Sequence, residues 1–530
     1  MPMRVLRNLV LLVLILSVAG CGAVSSSGGT GNGGVVTRAL TSEPATLDPH
    51  GAAGSGQNVI LPYIFDTLVY RDTDNTYKPF LAKSWTVSED GKTVTFKLRG
   101  GVTFHDGTAL DAEAVAFSLQ RLKDAGAKSP LASGMAVIAG IEAVDRQTLR
   151  LTLTSPSATL FSTLSMPYAG IVSPTAVKQE GDNFGQKPVG SGPFKLHEWK
   201  PGVSITLVRN ADYKWGPPSV KNQAAPHIAQ AVFKVIPDAT TQLTALQAGD
   251  VDIAFVNQPE QVQTLKQDKN IQVIESPLNS LIYLGFNCQK PPFDDVRVRQ
   301  ALSHAVNKAE LVQTALGGVG KEAFAPLSPT LPGFDPSLKS FELSYDPARA
   351  KSLLAEAGFT QAADGTWTRG KDRLSGLLLT SSRAPNDAIA TILQSQFKAI
   401  GVPLEIRLLD STAAMNAMSK GQYDLMVWRY DWNDADVLNI YLGSANIGRT
   451  NRVFYSNKAV DDLLNTAGRT MDDKARQQMY VDAQKQIMAD APWQPLYVPI
   501  DYTAVRTRIQ HVVMGPMGRV LLNDVTVTGK

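Results

Sequence analysis

Three aromatic side chains and three carboxylates crowd into nine residues, Trp428-Arg429-Tyr430-Asp431-Trp432-Asn433-Asp434-Ala435-Asp436, directly after the apolar run Leu425-Met426-Val427. A strand that ends in such a cluster delivers side chains to the edge of a cleft. Its carboxylates can receive a cation, and its rings can stack on flat groups, sugars included. A buried carboxylate without a cationic partner is costly, so a cationic ligand group would give one of these acids a reason to be there. The plainer alternative is an aromatic-capped strand followed by a solvated acidic turn. Arg383, in Thr380-Ser381-Ser382-Arg383-Ala384-Pro385-Asn386, stands before a predicted helix, and its guanidinium fork suits a planar anion. Asn287 and Trp432 are further cleft candidates. Gly190-Ser191-Gly192 permits close backbone approach and reads mainly as a tight turn between domains.

Letters that spell catalysis elsewhere do not hold together here. Gly365-(x4)-Gly370-Lys371 resembles a phosphate loop, but Asp372 stands where a Ser or Thr would bind Mg²⁺, and the context reads as a hairpin turn. Ser395-x-x-Lys398 lies inside a predicted amphipathic helix without a Lys-Thr-Gly partner. The histidines at 50, 105, 197, 227, 304 and 511 are scattered, with neither His-Glu-x-x-His nor Cys/His ligand spacing. No catalytic residue, metal ligand or cofactor is therefore expected. A hydrolase using some carboxylate pair among the 48 acidic residues is the remaining enzyme alternative.

The elements that must position these residues alternate between short strands and amphipathic helices. Lys92–Arg99 reads as a half-buried strand after the turn Glu89-Asp90-Gly91, and Leu149, Leu151 and Leu153 mark another. Asp111 can cap a helix running to about Lys123. Asp238–Ala248 is predicted helical and ended by Gly249, with a strand over Val251–Val256. Asp294–Leu316 reads as one long helix. Helices also follow Asp346-Pro347, cover Asn386–Ile400 before Gly401, and cover Asp472–Ala489. This alternation predicts α/β lobes rather than a bundle or a sandwich.

The chain begins with Arg4 and Arg7, an apolar segment from Leu9 to Val18, and Val18-Ala19-Gly20-Cys21. That is the form of a secretory signal, too short for an ordinary spanning helix. Its end resembles a bacterial lipobox, in which the cysteine is lipidated and becomes the N-terminus. Residues 22–34 are a Gly/Ser-rich tether with a root-mean-square reach of roughly 20 Å. No later apolar run approaches the ~20 residues that cross a bilayer. Net charge is +3, about +1 without Arg4 and Arg7, and no basic block appears, which argues against nucleic acid. Cys288 is then alone, reads as a small buried apolar residue, and leaves no internal disulfide.

A family resemblance covers nearly the whole mature chain. It is carried by Leu47-Asp48-Pro49-His50, Tyr77-Lys78-Pro79-Phe80-Leu81-Ala82-Lys83-Ser84-Trp85, Phe104-His105-Asp106-Gly107-Thr108, Pro188-Val189-Gly190-Ser191-Gly192-Pro193-Phe194, Leu246-Gln247-Ala248-Gly249-Asp250-Val251-Asp252 and Val296-Arg297-Val298-Arg299-Gln300-Ala301-Leu302. In this order, behind a lipobox, they resemble extracellular solute-binding protein family 5, the dipeptide-, oligopeptide- and nickel-binding components of ABC importers.

The resemblance implies an α/β fold like the type II periplasmic binding proteins, two lobes around a ligand cleft with an extra α/β domain on the first. The signal would be 1–20 and the tether 21–34. Lobe I would comprise 35–69, 187–281 and 495–530, the extra domain 70–186, and lobe II 282–494. Function would be capture of di- or oligopeptides by lobe closure and delivery to the permease and its ATPase subunits. The protein would work as a monomer, anchored through Cys21 at the outer face of the cytoplasmic membrane or in the periplasm. In peptide binders of the family a Trp-x-x-Asp sets its carboxylate against the ligand's α-ammonium, which Trp428 and Asp431 match, with Tyr430 between them. An arginine near Arg383 receives the ligand's α-carboxylate in dipeptide binders. The family often has Asp-Pro-Asp where this chain has Asp434-Ala435-Asp436, so a nickel chelate or an oligosaccharide stays open as the ligand.

Overall fold

The computed structural model describes residues 33–529 apart from Ala52 and Asn257. The signal segment, Cys21 and the tether up to residue 32 lie outside the described residues.

Two large sheets and one smaller sheet carry the chain. The first sheet has seven strands in the order Ile271–Pro277, Ile500–Arg506, Ile253–Val256, Val35–Leu40, Gln230–Val235, Ser204–Arg209, Phe194–Lys200. The second has six, in the order Lys321–Glu322, Trp493–Val498, Ser280–Phe286, Leu425–Asp431, Gly376–Ser381, Leu404–Leu409. An antiparallel four-stranded sheet, Ala82–Val87, Thr93–Leu98, Thr148–Leu153 and Ile138–Asp145, lies between residues 70 and 186. One apolar core runs from the first sheet into this smaller unit, joining Phe194, Ile205 and Phe233 to Phe96, Leu119 and Leu151.

Every residue of Ser280–Phe286 is buried. Its alternate side chains enter different cores, Ile282, Leu284 and Phe286 on one face and Leu281 and Tyr283 on the other. A strand covered on both faces has no polar side to show, which explains the apolar run Leu281–Phe286.

Local signals fix most helix boundaries. Asp111, Asp238 and Asp472 each accept a backbone N–H in the first turn of Ala112–Asp124, Ala239–Ala248 and Asp473–Asp490. The predicted long helix over 294–316 is instead two, Val296–His304 and Lys308–Ala315. Asn307 breaks it by taking an extended backbone and accepting the Glu310 N–H, capping the second helix. The phosphate-loop letters lie in a hairpin, Thr360–Gln361 paired with Trp367–Arg369. At the Gly190-Ser191-Gly192 turn, a Cβ on Gly190 would stand 2.1 Å from the Ile64 carbonyl oxygen, so only glycine lets the backbones approach.

The chain changes sheet twice at one place. Ile271–Pro277 pairs with Ile500–Arg506 in the first sheet, while the next strand, Ser280–Phe286, pairs with Trp493–Val498 in the second. Leu278–Asn279 and Pro499 therefore carry the crossings, a few residues from the expected 281/282 and 494/495. The Leu278 N–H donates to the Pro499 carbonyl across them at 2.9 Å.

Candidate functional site

Strand pairing gathers most of the candidate residues at the crossing. Leu425–Asp431 runs antiparallel to Ser280–Phe286, with Asp431 opposite Ser280 and Leu425 opposite Phe286. It also runs parallel to Gly376–Ser381, so both carboxyl ends emerge at the same edge. Trp428, Asp431 and Arg383 belong to that edge. Asn287 does not. It follows Phe286 at the other end of the pair, roughly 20 Å away along the strand. Its amide donates to the Gly421 and Tyr423 carbonyls at 3.3 and 3.2 Å, which makes it a loop tie rather than a cleft residue.

Alternation sorts the aromatic cluster. Tyr430 is 1% exposed, and its hydroxyl donates to the Pro326 carbonyl and accepts the Ser328 N–H, so no capacity remains for a ligand. Trp428 is half-buried against the same core. Trp432 is 38% exposed and donates its indole N–H to Asp436 at 2.6 Å.

The three carboxylates have three different environments. The expectation of a buried acid lacking a cation is corrected at Asp431. Its side chain is about half exposed, and its Oδ2 accepts from Arg429 Nε at 2.7 Å and from Nη2, because residues two apart on a strand share a face. Asp434 is buried and ion-paired with Arg476 of Asp473–Asp490, with side chains 3% and 7% exposed. Burial and then the Asp434 charge push the Asp436 carboxyl up to about 7.

Across the crossing the first sheet presents a cavity of about 350 Å³. Arg38, Tyr63, Tyr70, Arg71, Asp501 and Arg519 stand in its wall. Asp66 sits beneath them, buried, accepting from Ser191 Oγ at 2.8 Å, Tyr213 OH at 3.1 Å and Trp215 Nε1 at 2.8 Å. Burial pushes its carboxyl up to about 6, against those three donors. Burial likewise pushes Asp501 up to about 6, with Arg38 acting in the opposite sense.

Arg71 joins the two walls. Its guanidinium donates to the Asn433 carbonyl at 2.9 Å and the Thr330 carbonyl at 2.7 Å. Asn433 belongs to the strand-end cluster, so Arg71 ties the cavity wall to that cluster, while the residues lining the cavity come from 38–80, 165–217, 255 and 501–523. Sequence reasoning missed Arg38, Arg71 and Arg519, which come from distant segments without a shared motif. The one available signal was the turn Gly515-Pro516-Met517-Gly518 immediately before Arg519.

Comparison with known proteins follows the same lines. The family described as bacterial extracellular solute-binding proteins, family 5 Middle, matches residues 76–449. The glutathione-binding protein GsiB of Shigella flexneri is 31% identical over 473 residues, covering 87% of this chain and 88% of its own. The periplasmic binding protein DppA of Helicobacter pylori, in complex with the peptide STSA, shares 28% identity and a TM-score of 0.66, covering 94% of this chain and 99% of its own. The murein tripeptide binding protein MppA, in its unliganded open form, shares 25% identity and a TM-score of 0.82, covering 94% and 99%. The open form thus superimposes better than the peptide complex despite its lower identity.

Proposed function

We propose, for a chain that belongs to the bacterial extracellular solute-binding proteins of family 5 and is the solute-binding component of an ABC importer, that its cargo is a short peptide, tripeptide thiols such as glutathione included. The observation that carries this is the Arg71 bridge from the first-sheet cavity wall to the strand-end cluster beside the crossing. A cavity wall with three arginines lies on one side, and an exposed carboxylate with two indoles lies on the other. A zwitterion with a peptide backbone matches that arrangement better than a neutral sugar. Among the described residues no three His, Cys, Asp or Glu side chains gather as a metal site, so nickel would have to arrive inside its own chelate. The protein captures and releases its cargo without turnover, as befits relatives that are binding proteins. Mass spectrometry of small molecules released on denaturing the purified protein tests the assignment. Peptides or glutathione are expected, and an oligosaccharide or a metal chelate as the sole cargo would overturn it.

The first sheet, its associated 70–186 unit and the second sheet act as the three parts of a clam-like binder, hinged at Leu278–Asn279 and Pro499. The better match to an open relative supports an open resting state. Ligand contacts made only when the lobes meet supply the free energy of closure. Small-angle scattering with saturating ligand should show a smaller radius of gyration. The melting temperature should rise as well, since a ligand at 100 Kd adds about 2.7 kcal/mol. An unchanged radius at saturation would remove the closing mechanism.

The lipidated cysteine is Cys21, and the mature protein is a tethered monomer at the outer face of the cytoplasmic membrane. Among the described residues no helix is long and apolar enough to cross a membrane. Cys21→Ser is expected to move the protein from the detergent phase to the aqueous phase. Retained lipid on that variant would contradict the anchor.

A further inference from the structure

Several buried and half-buried arginines of this protein give most of their N–H groups to protein acceptors, though Arg71 Nε has none among the described residues. Arg476 pairs with Asp434, and Arg508 pairs with Asp252. Arg299 donates to the carbonyls of Phe293, Asp294 and Asp490. Arg71 donates to the carbonyls of Asn433 and Thr330 and to Asn75 Oδ1. Two arginines of the cavity wall differ: Arg38 forms no ion pair among the described residues, and half-buried Arg519 is held hardly better. Among the described residues Arg519 forms no ion pair, and its side chain donates only to the Met517 sulfur at 3.6 Å, a poor acceptor for a group with five N–H donors.

The backbone that holds it is strained. Met517 has φ 59° and ψ 32°, and Gly518 follows at φ 68°. The left-handed region is unfavourable for a residue other than glycine, because its Cβ crowds the following carbonyl. The turn is closed by the Gly515 N–H donating to the Arg519 carbonyl at 2.7 Å, between the short paired strands Val513–Met514 and Val520–Leu521. A Cβ on Gly518 would lie 3.2 Å from Ser276 Cβ, so the turn packs against Ile271–Pro277, the strand that leads into the crossing. The fold therefore fixes Arg519 in the cavity at the hinge rather than leaving it on a free tail.

Its surroundings favour an anion. Tyr63 and Tyr70 line the cavity with it, and Arg38 and Arg71 add two more cations. Of the carboxylates there, Asp66 accepts from three protein donors, and burial pushes Asp501 up to about 6 against the Arg38 charge. Burial lowers the Arg519 guanidinium only to about 10, so it is cationic at neutral pH.

We propose that Arg519 is the receptor for a carboxylate of the ligand, so that the cargo places an anionic end in the first-lobe cavity. This rests on reading the cleft as a peptide site. With the cationic end at Asp431, it sets the orientation of the peptide across the crossing and requires a free carboxylate on it.

Calorimetric titration of the full protein with four probes tests this: Ala-Ala-Ala, its C-terminal amide, reduced glutathione and its glycine ethyl ester. In wild type the free acids should bind about 10- to 100-fold tighter than the blocked forms, the span expected for a charge-assisted hydrogen bond. Arg519→Met keeps the stem, and in it each acid should fall to the affinity of its blocked form. Arg519→Lys, which keeps the charge but not the fork, should recover part of the difference and guards against a folding defect in the Met variant. Equal binding of acids and blocked forms by wild type would overturn the Arg519 assignment while leaving the peptide reading intact. So would undiminished discrimination in a folded Met variant. Failure of all four probes on wild type would instead remove the peptide reading and the proposal with it.

Discussion

Replacing Arg476 with methionine is expected to lower the free energy of unfolding by about 3–5 kcal/mol, the cost of leaving one partner of a buried ion pair alone. Arg476 and Asp434 have almost no contact with water. Arg476 also donates from Nε to the Ala467 carbonyl and lies 5.0 Å over the Tyr480 ring, so methionine preserves much of the packing and deletes the charge. Asp434 Oδ1 additionally accepts the Asp436 N–H, and Oδ2 has no protein donor among the described residues. Without the guanidinium, Asp434 would be a buried anion beside a second carboxyl, Asp436. The paired variant Arg476→Met with Asp434→Asn should regain most of the loss, because both charges then leave together. Urea denaturation of wild type and the two variants reads this directly. A deficit under 1 kcal/mol for Arg476→Met would show that water reaches the pair.

That pair also marks where the sequence stopped being informative. Three carboxylates within six residues looked alike as letters, yet one is exposed, one is salt-bridged in the interior and one accepts from an indole. Arg476 lies 42 positions from its partner, on a helix whose spacing gives no sign of the contact. Signals that act within one turn were legible. The Asp caps at 111, 238 and 472 place an acceptor beside unsatisfied helix N–H groups, and that chemistry needs no tertiary partner. The break at Asn307 was not legible, since the apolar spacing runs through it and both helices bury the same kind of face. Asn287 misled for a simpler reason. It stands at the end of a strand bordering the cleft, but at the far end, and only the antiparallel register shows which end that is. The cavity arginines had no motif at all. Arg38, Arg71 and Arg519 meet because three separate segments return to the first lobe, and such convergence is a property of topology.

The same topology gives the second prediction its size. Asp431→Asn is expected to weaken binding of a peptide with a free amino terminus by about 30- to 5,000-fold, or 2–5 kcal/mol, if its carboxylate receives the α-ammonium in a closed, dry cleft. The pairing with Arg429 does not protect against this loss. An ion pair with both side chains about half exposed contributes only about 0–1 kcal/mol, so the ligand's ammonium can displace it cheaply as closure removes water. In the Asn variant Arg429 remains as an unbalanced cation next to the incoming ammonium, which adds to the penalty. N-acetylation of the peptide should cost wild type a comparable factor and the Asn variant much less, because both changes delete one interaction. Calorimetry on the four combinations measures the coupling. Additive losses would place Asp431 away from the ammonium, and equal binding by all four would take it out of the site. Arg429→Gln supplies a control with the opposite sign, since removing the resident competitor should leave affinity unchanged or raise it. A large loss there would mean that Arg429, rather than Asp431, contacts the peptide.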